Sequence, residues 1–230
     1  MLEFYAHLAE GLHAMAQPLT ILRSIAAATA VPELPEIERL RYLDIAREQV
    51  ERTCSLFEGL QDLVIAKRHK PSYMQFDLKH LVTTVVTDLK TALDTFDIEL
   101  NLKLPAEPVL LHGDVAWTRQ AAGAALKVAA SLCESGDRIE LLLEERYGMA
   151  ELTVQTHRRL DVKLSSLHVL RLALAESSIH SQHGQYQCAL DPFCIRLSLP
   201  IRNAASAMLR AAPMGHPHST SIVLSDRNRF

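Results

Sequence analysis

Little in the composition of this chain singles out a partner. Basic residues do not exceed acidic ones, since 24 Lys and Arg against 27 Asp and Glu leave a net charge of −3. That gives no support to a nucleic-acid binder, whose affinity rests on a basic surface. Aromatic residues make up 5% of the chain, and Trp117 with the few others forms no platform for stacking bases. No apolar run approaches the length of about 20 residues that spans a bilayer, so no membrane association is expected. The opening stretch MLEFYAHLAEG carries two acids and no basic segment, which predicts no signal peptide. Cys54, Cys133, Cys188 and Cys194 are scattered without C-x-x-C spacing. They indicate neither a disulfide framework nor a zinc site, and a reducing cytoplasm is the expected compartment.

What is present suffices for a large core. At 230 residues, 48% hydrophobic and 22% charged, the chain has the composition of a globular protein of one large or two small domains. Residues 2–30 place Phe4, Leu8, Leu12, Met15, Leu19, Leu22 and Ala26 at steps of four and three, one face of a long helix. Pro32 and Pro35 break it. A second helical pattern runs from Ile37 to Lys67, with Leu40, Leu43, Ala46, Val50, Cys54, Phe57, Leu60 and Val64 on one face. It closes on Lys67-Arg68-His69-Lys70, cations suited to a helix C-terminus, before Pro71. Helices of about 30 residues are roughly 45 Å long, and a lone hairpin of that length leaves apolar stripes uncovered. A second copy would cover them, so residues 4–67 predict a homodimer with a four-helix bundle.

From Phe76 the pattern becomes mixed. FDLKHLVTTVVTDLKTAL reads as a helix, IELNLKLP and PVLLHGD as strands, and VAWTRQAAGAALKVAASLCES as a helix. RIELLLEER and MAELTVQTH follow as strands joined through Tyr147-Gly148, then a helix over LSSLHVLRLALAESSIHSQ and a hairpin over GQYQCALDPFCIRLSLP. The expected class is α+β with largely antiparallel strands. The expected division is a helical hairpin over 1–71, an α/β sandwich over 72–202 and a loose tail over 203–230.

One segment contradicts its own periodicity. HAMAQPLTILRS, residues 13–24, lies inside the first helix yet contains Pro18, which removes an N–H and crowds the carbonyl of Ala14. The spacing His13, Gln17, Pro18, Leu19 resembles the phosphorylated-histidine motif of bacterial sensor histidine kinases, H-E-x-x-x-P-L with Gln before the proline in one subgroup. FDLKHLV, IELNLKLP, GDVAWTRQ and HGQ…IRLSLP resemble, in order and spacing, the ATP-binding domain of GHKL type that follows the hairpin in those kinases. The likeness covers about residues 4–201. It implies that His13 is a phosphoryl acceptor, that Pro18 loosens the turn carrying it, and that Gln17 can orient a water. A neutral imidazole is a competent nucleophile toward phosphorus.

The same comparison marks what is missing. Where the family's nucleotide helix carries Mg²⁺- and phosphate-binding Asn, this chain has Ala124 and Val128, which offer no oxygen to a hard cation. Thr156, Arg158 and Leu160 stand where the adenine-binding D-x-G-x-G is expected, and Leu170 and Leu172 near the glycines that admit phosphate. The acid that follows the histidine as general base is Ala14. These departures predict no resident cofactor and no ATP-dependent autophosphorylation. Transfer from a response-regulator receiver domain asks less of this chain, because the receiver brings its own aspartate and Mg²⁺. The reading is therefore a histidine phosphotransferase resembling dimeric kinase cores with a decayed ATP domain. The alternatives are a degenerate kinase acting as a regulator phosphatase and a non-catalytic docking module. His180 and His183 read as edge-of-core residues, His216 and His218 as tail residues, and Asp114 as a turn residue. His13 is expected on the exposed flank of the first helix, beside a buried stripe marked by Leu12 and Met15.

Overall fold

The computed structural model describes residues 2–68, 70–157 and 164–201 of the chain. The expected tail over 203–230, with His216 and His218, and the positions Arg158 and Leu160 lie outside the described residues. Two long helices come first: α1 (Leu2–Thr29), continuous through Pro18, and α2 (Glu36–Arg68). Glu36 and Glu38 open α2 and Lys67 and Arg68 close it, both matching the helix dipole. The two helices form an antiparallel hairpin across the turn that Pro32 and Pro35 enforce.

The described residues that follow the hairpin form a mixed layer. It contains β1 (Tyr73–Asp77), α3 (Leu78–Thr95), β2 (Glu99–Lys103), β3 (Leu110–Asp114), α4 (Val115–Ser131), β4 (Arg138–Arg146), β5 (Met149–Thr156), α5 (Ser166–His180), β6 (Gln185–Leu190) and β7 (Phe193–Pro200). Five strands form one sheet in the order β2-β4-β5-β7-β6, parallel only between β2 and β4. β1 and β3 make a separate antiparallel ribbon, with Tyr73 opposite Asp114. The turn at Tyr147-Gly148 has φ of 51° and 75°, the left-handed pair that a two-residue hairpin loop requires. Alternate residues of the central strands, Ile139, Leu141 and Leu143 on β4 and Phe193, Ile195 and Leu197 on β7, are buried in one core with Val82, Val85, Leu126 and Val128 of the helices. One covered face and one open face produce that alternation.

The stripes read from the sequence divide differently in the fold. Within the hairpin, α1 buries Gly11, Pro18 and Ile25, and α2 buries Gln49, Leu56, Leu60 and Leu63. Leu12 and Leu19 on α1, and Leu40, Leu43, Val50, Cys54 and Phe57 on α2, are exposed. Periodicity merged two faces that are roughly 110° apart around the axis of α1 and about 130° apart around that of α2 at 3.6 residues per turn. Because the helices run in opposite directions, these two offsets bring both open stripes to the same side of the hairpin.

Candidate functional site

His13 and Gln17 are both exposed, one helical turn apart. At about 100° per residue they share an outward strip with Ala6, Ala9, Glu10, Ala16 and Thr20, all exposed. His13 therefore points away from α2. Its neighbour Leu12 is exposed rather than part of a buried stripe, so the expected placement holds for Met15, which is half-buried, and not for Leu12. Pro18 faces the opposite way and is buried in the hairpin. Lacking an N–H, it leaves the Ala14 carbonyl without its intrahelical donor. In the turns that follow, Thr20 Oγ1 donates to Ala16 O at 2.8 Å and Ser24 Oγ to Thr20 O at 3.0 Å, a pattern that bends helices.

Ala124 and Val128 stand where the resemblance would place nucleotide ligands and offer no side-chain oxygen, and Ala124 lines a cleft between α2 and the helices α3, α4 and α5. Ala124 is 6% and Val128 0% exposed, and Thr156 is buried as well. α4 and α5 pack against each other and are tied at both ends. At one end Ser165 N–H donates to His168 Nδ1 at 3.2 Å, so the opposite nitrogen carries the ring proton and donates to Ser131 Oγ at 2.9 Å. Ser131 in turn donates to Val128 O at 2.9 Å. Burial, with Arg171 adding to it, holds the His168 imidazole below its ordinary pKa. The N-terminus of α5 is capped by its own Ser165, whose Oγ accepts from His168 N–H at 3.3 Å. At the other end Gln182 Oε1 accepts from Asp114 N–H at 2.7 Å while its amide donates to Thr118 Oγ1 at 3.2 Å.

Leu170 behaves differently from the expectation that leucines at glycine positions fill a nucleotide pocket. It is buried against the hairpin, in a cluster with Leu56, Leu60, Leu63 and Ala173, on which Phe4, Leu8, Ala14 and Met15 of α1 also pack. α5 thus docks the α/β layer onto both long helices. Leu172 is half-buried at the edge of the main core. Beside this contact lies a cleft of about 930 Å³ between α2 and the helices α3, α4 and α5. Its charged lining is mixed: Glu58, Asp62, Asp88 and Asp114 against Arg119, Lys127 and Arg171. Burial raises the Asp62 pKa even though Gln120 and Lys127 oppose that shift. Arg119 pairs with Asp88 across the exposed rim. No residue of α1 lines this cleft, so it is separate from the strip around His13.

The remaining candidates are structural. Asp114 caps α4: its Oδ1 accepts from Trp117 N–H at 3.0 Å and its Oδ2 from Ser72 N–H at 2.7 Å. Trp117 is buried against Ala66 and Leu174. His180 and His183 are both exposed rather than at the core edge; His180 sits 4.0 Å from Glu176, and His183 has a left-handed φ of 61°. Among the described residues no three His, Cys, Asp or Glu side chains gather to hold a metal. No helix among them is long and apolar enough to cross a membrane. Sequence reasoning missed the α5–hairpin contact and the Ser165–His168–Ser131 chain. The one signal for the first was a glycine at position 11 inside a strong helix.

No protein-family model matches the chain, and no curated protein matches it by sequence. Its fold is nonetheless shared with solved histidine kinases. Histidine kinase AdeS of Acinetobacter baumannii superposes with a TM-score of 0.64 at 20% identity, over 83% of this chain and 98% of that one. Histidine kinase ThkA, solved in complex with response regulator protein TrrA, gives 0.65 at 14% identity over 84% and 60% of the two chains. The cytoplasmic segment of histidine kinase QseC gives 0.50 at 14% identity over 75% and 100%. The chain has the architecture of a histidine kinase core, a helical hairpin followed by an α/β layer with a five-stranded sheet.

Proposed function

We propose that this chain is a dimeric histidine phosphotransfer protein of two-component signalling, carrying a phosphoryl group on His13 and exchanging it with receiver domains of response regulators. The observation that carries this reading is the pairing of an outward His13, one turn before Pro18 on a kinase-type hairpin, with Ala124 and Val128 packed where nucleotide ligands would be needed. A kinase of the same fold has been solved with a response regulator bound. In the step itself, an unprotonated ring nitrogen of His13 attacks phosphorus with its lone pair. The P–O bond to the receiver's aspartate breaks, and the carboxylate leaves with that electron pair. The reverse reaction delivers the group to a second receiver. The metal belongs to the receiver, and this chain's contribution is to hold the imidazole in line. The small exposed side chains around His13 let a protein surface approach closely.

A second reading is favoured by one observation: Gln17 lies exposed on the same strip, a turn beyond His13, where its amide can orient water for hydrolysis of a receiver's aspartyl phosphate. Mixing the chain with a phosphorylated receiver separates the possibilities. Loss of transfer in His13→Gln, with the dimer unchanged, is the expected result, since an exposed substitution shifts stability by less than about 0.5 kcal/mol. Label that reaches the chain and survives His13→Gln overturns the phosphotransfer role. Loss of receiver label that depends on Gln17 alone identifies a phosphatase, and indifference to both residues identifies a docking module.

A further inference from the structure

His13 lies between the two residues least compatible with a helix interior. Gly11 precedes it and Pro18 follows it, and both weaken the segment between them. What holds that segment in a continuous helix comes from outside α1. A Cβ on Gly11 would lie 2.5 Å from Leu60 Cδ2 and 3.1 Å from Leu170 Cδ1. A Cβ on Gly59, on the facing helix, would lie 3.6 Å from Leu167 Cδ1 and 3.7 Å from Leu170 Cδ1. At position 11 Leu60 of the facing helix and Leu170 of α5 together fill the space that a Cβ would take, while at Gly59 Leu167 and Leu170 lie at ordinary contact distance. The leucine is 1% exposed, and Ala14 and Met15, the residues just after His13, pack on the same cluster. The contact at Gly11 is on the far side of α1 from His13, two residues away in sequence.

We infer that Leu170 is a positioning residue for His13, bracing from behind the turn that Gly11 and Pro18 leave weak. The α/β layer then has a role that requires no nucleotide: it sets the direction of the imidazole. This rests on the proposed transfer role of His13, but the brace itself can be measured without it. In-line transfer is sensitive to displacement of about 1 Å, so a turn that moves freely presents the ring productively for a smaller fraction of time.

The test uses the full chain with Leu170→Ala, Leu170→Met as the volume-conserving rescue, and Leu174→Ala as control. Leu174 is an equally buried leucine of α5 whose partners are Ala66 and Trp117, away from Gly11. Two readouts are taken: amide hydrogen exchange over residues 11–17, and transfer from a phosphorylated receiver at varied receiver concentration. Leu170→Ala should speed exchange over 11–17 and lower the rate at saturating receiver by roughly ten- to a hundredfold, with KM unchanged. Leu170→Met should restore both, and Leu174→Ala should leave both unchanged. Exchange over 11–17 that is unaltered in Leu170→Ala, or raised equally by Leu174→Ala, overturns the brace. If Leu170→Ala does not fold, Leu170→Val gives the same readouts at smaller amplitude. A wild-type chain that takes no label defeats the phosphotransfer reading, while the exchange data still decide the brace.

Discussion

A carboxylate at Phe57 bears directly on the open side of the hairpin. Tyr5, Leu12 and Leu19 on α1 and Leu40, Leu43, Val50 and Phe57 on α2 are between 48% and 59% exposed. Full burial of such a side chain is worth roughly 1.5–3 kcal/mol, so covering its exposed half contributes about 1 kcal/mol. In a two-fold dimer each change counts twice. Phe57→Asp therefore removes about 2 kcal/mol of burial and leaves two carboxylates against apolar surface, each costing about 1–3 kcal/mol more. A total of at least about 4 kcal/mol corresponds to a rise in the dissociation constant on the order of 10³ or more. Sedimentation equilibrium should show a dimer for the wild type at micromolar concentration and a monomer for the variant. Circular dichroism should show the variant still folded, because Phe57 is half exposed within the protomer. A wild type that sediments as a monomer, or a variant that dimerises equally well, refutes the argument.

Two further outcomes concern the α4–α5 contact and the cleft beside it. His168 is a base whose native pKa lies below its ordinary 6.5, so on acidification the unfolded chain takes up the proton first. Its contribution is complete above about pH 6.5 and is lost as the pH falls below that toward the native value. Urea unfolding at about pH 7.5 and about pH 5.5 should show a stability drop that His168→Gln reduces, and equal drops in both proteins would contradict the assignment. Calorimetric titration with Mg·ATP should give no binding heat. A dissociation constant in the micromolar range would restore an ATP-dependent kinase as the better account.

Much of the fold could be read directly from residue patterns. Both long helices, the Tyr147-Gly148 turn and the strand–helix order after Phe76 emerge from periodicity and turn chemistry, because each is decided by neighbours in sequence. β1 was missed since Tyr73–Asp77 is short, mostly exposed and held by pairing with β3, some 40 residues on. The stripes were misassigned for a related reason. A helix with two apolar faces gives the same run of Leu and Val whichever face meets its hairpin partner, and Gly11 against Leu60 sets that choice. His13, Gln17 and Pro18 were legible as spacing, whereas the brace by Leu170 depends on contacts between residues about 160 apart.

The contact between α4 and α5 is fastened from within the α/β layer. Val128 lends its carbonyl to Ser131, Ser131 accepts from His168, and His168 is held by the cap of α5. That chain closes one end of the α4–α5 contact, and the Gln182 network closes the other. A helix fastened at both ends to α4 holds Leu170 at a fixed place in the α/β layer, where it packs on Leu60 beside Gly11. A catalytic domain that must carry bound nucleotide to a histidine needs freedom to move over the hairpin. A domain whose task is to keep the histidine still gains from losing that freedom. On the proposed role of His13, the capped α5 and the buried Leu170 act in one direction, as a support beneath that residue.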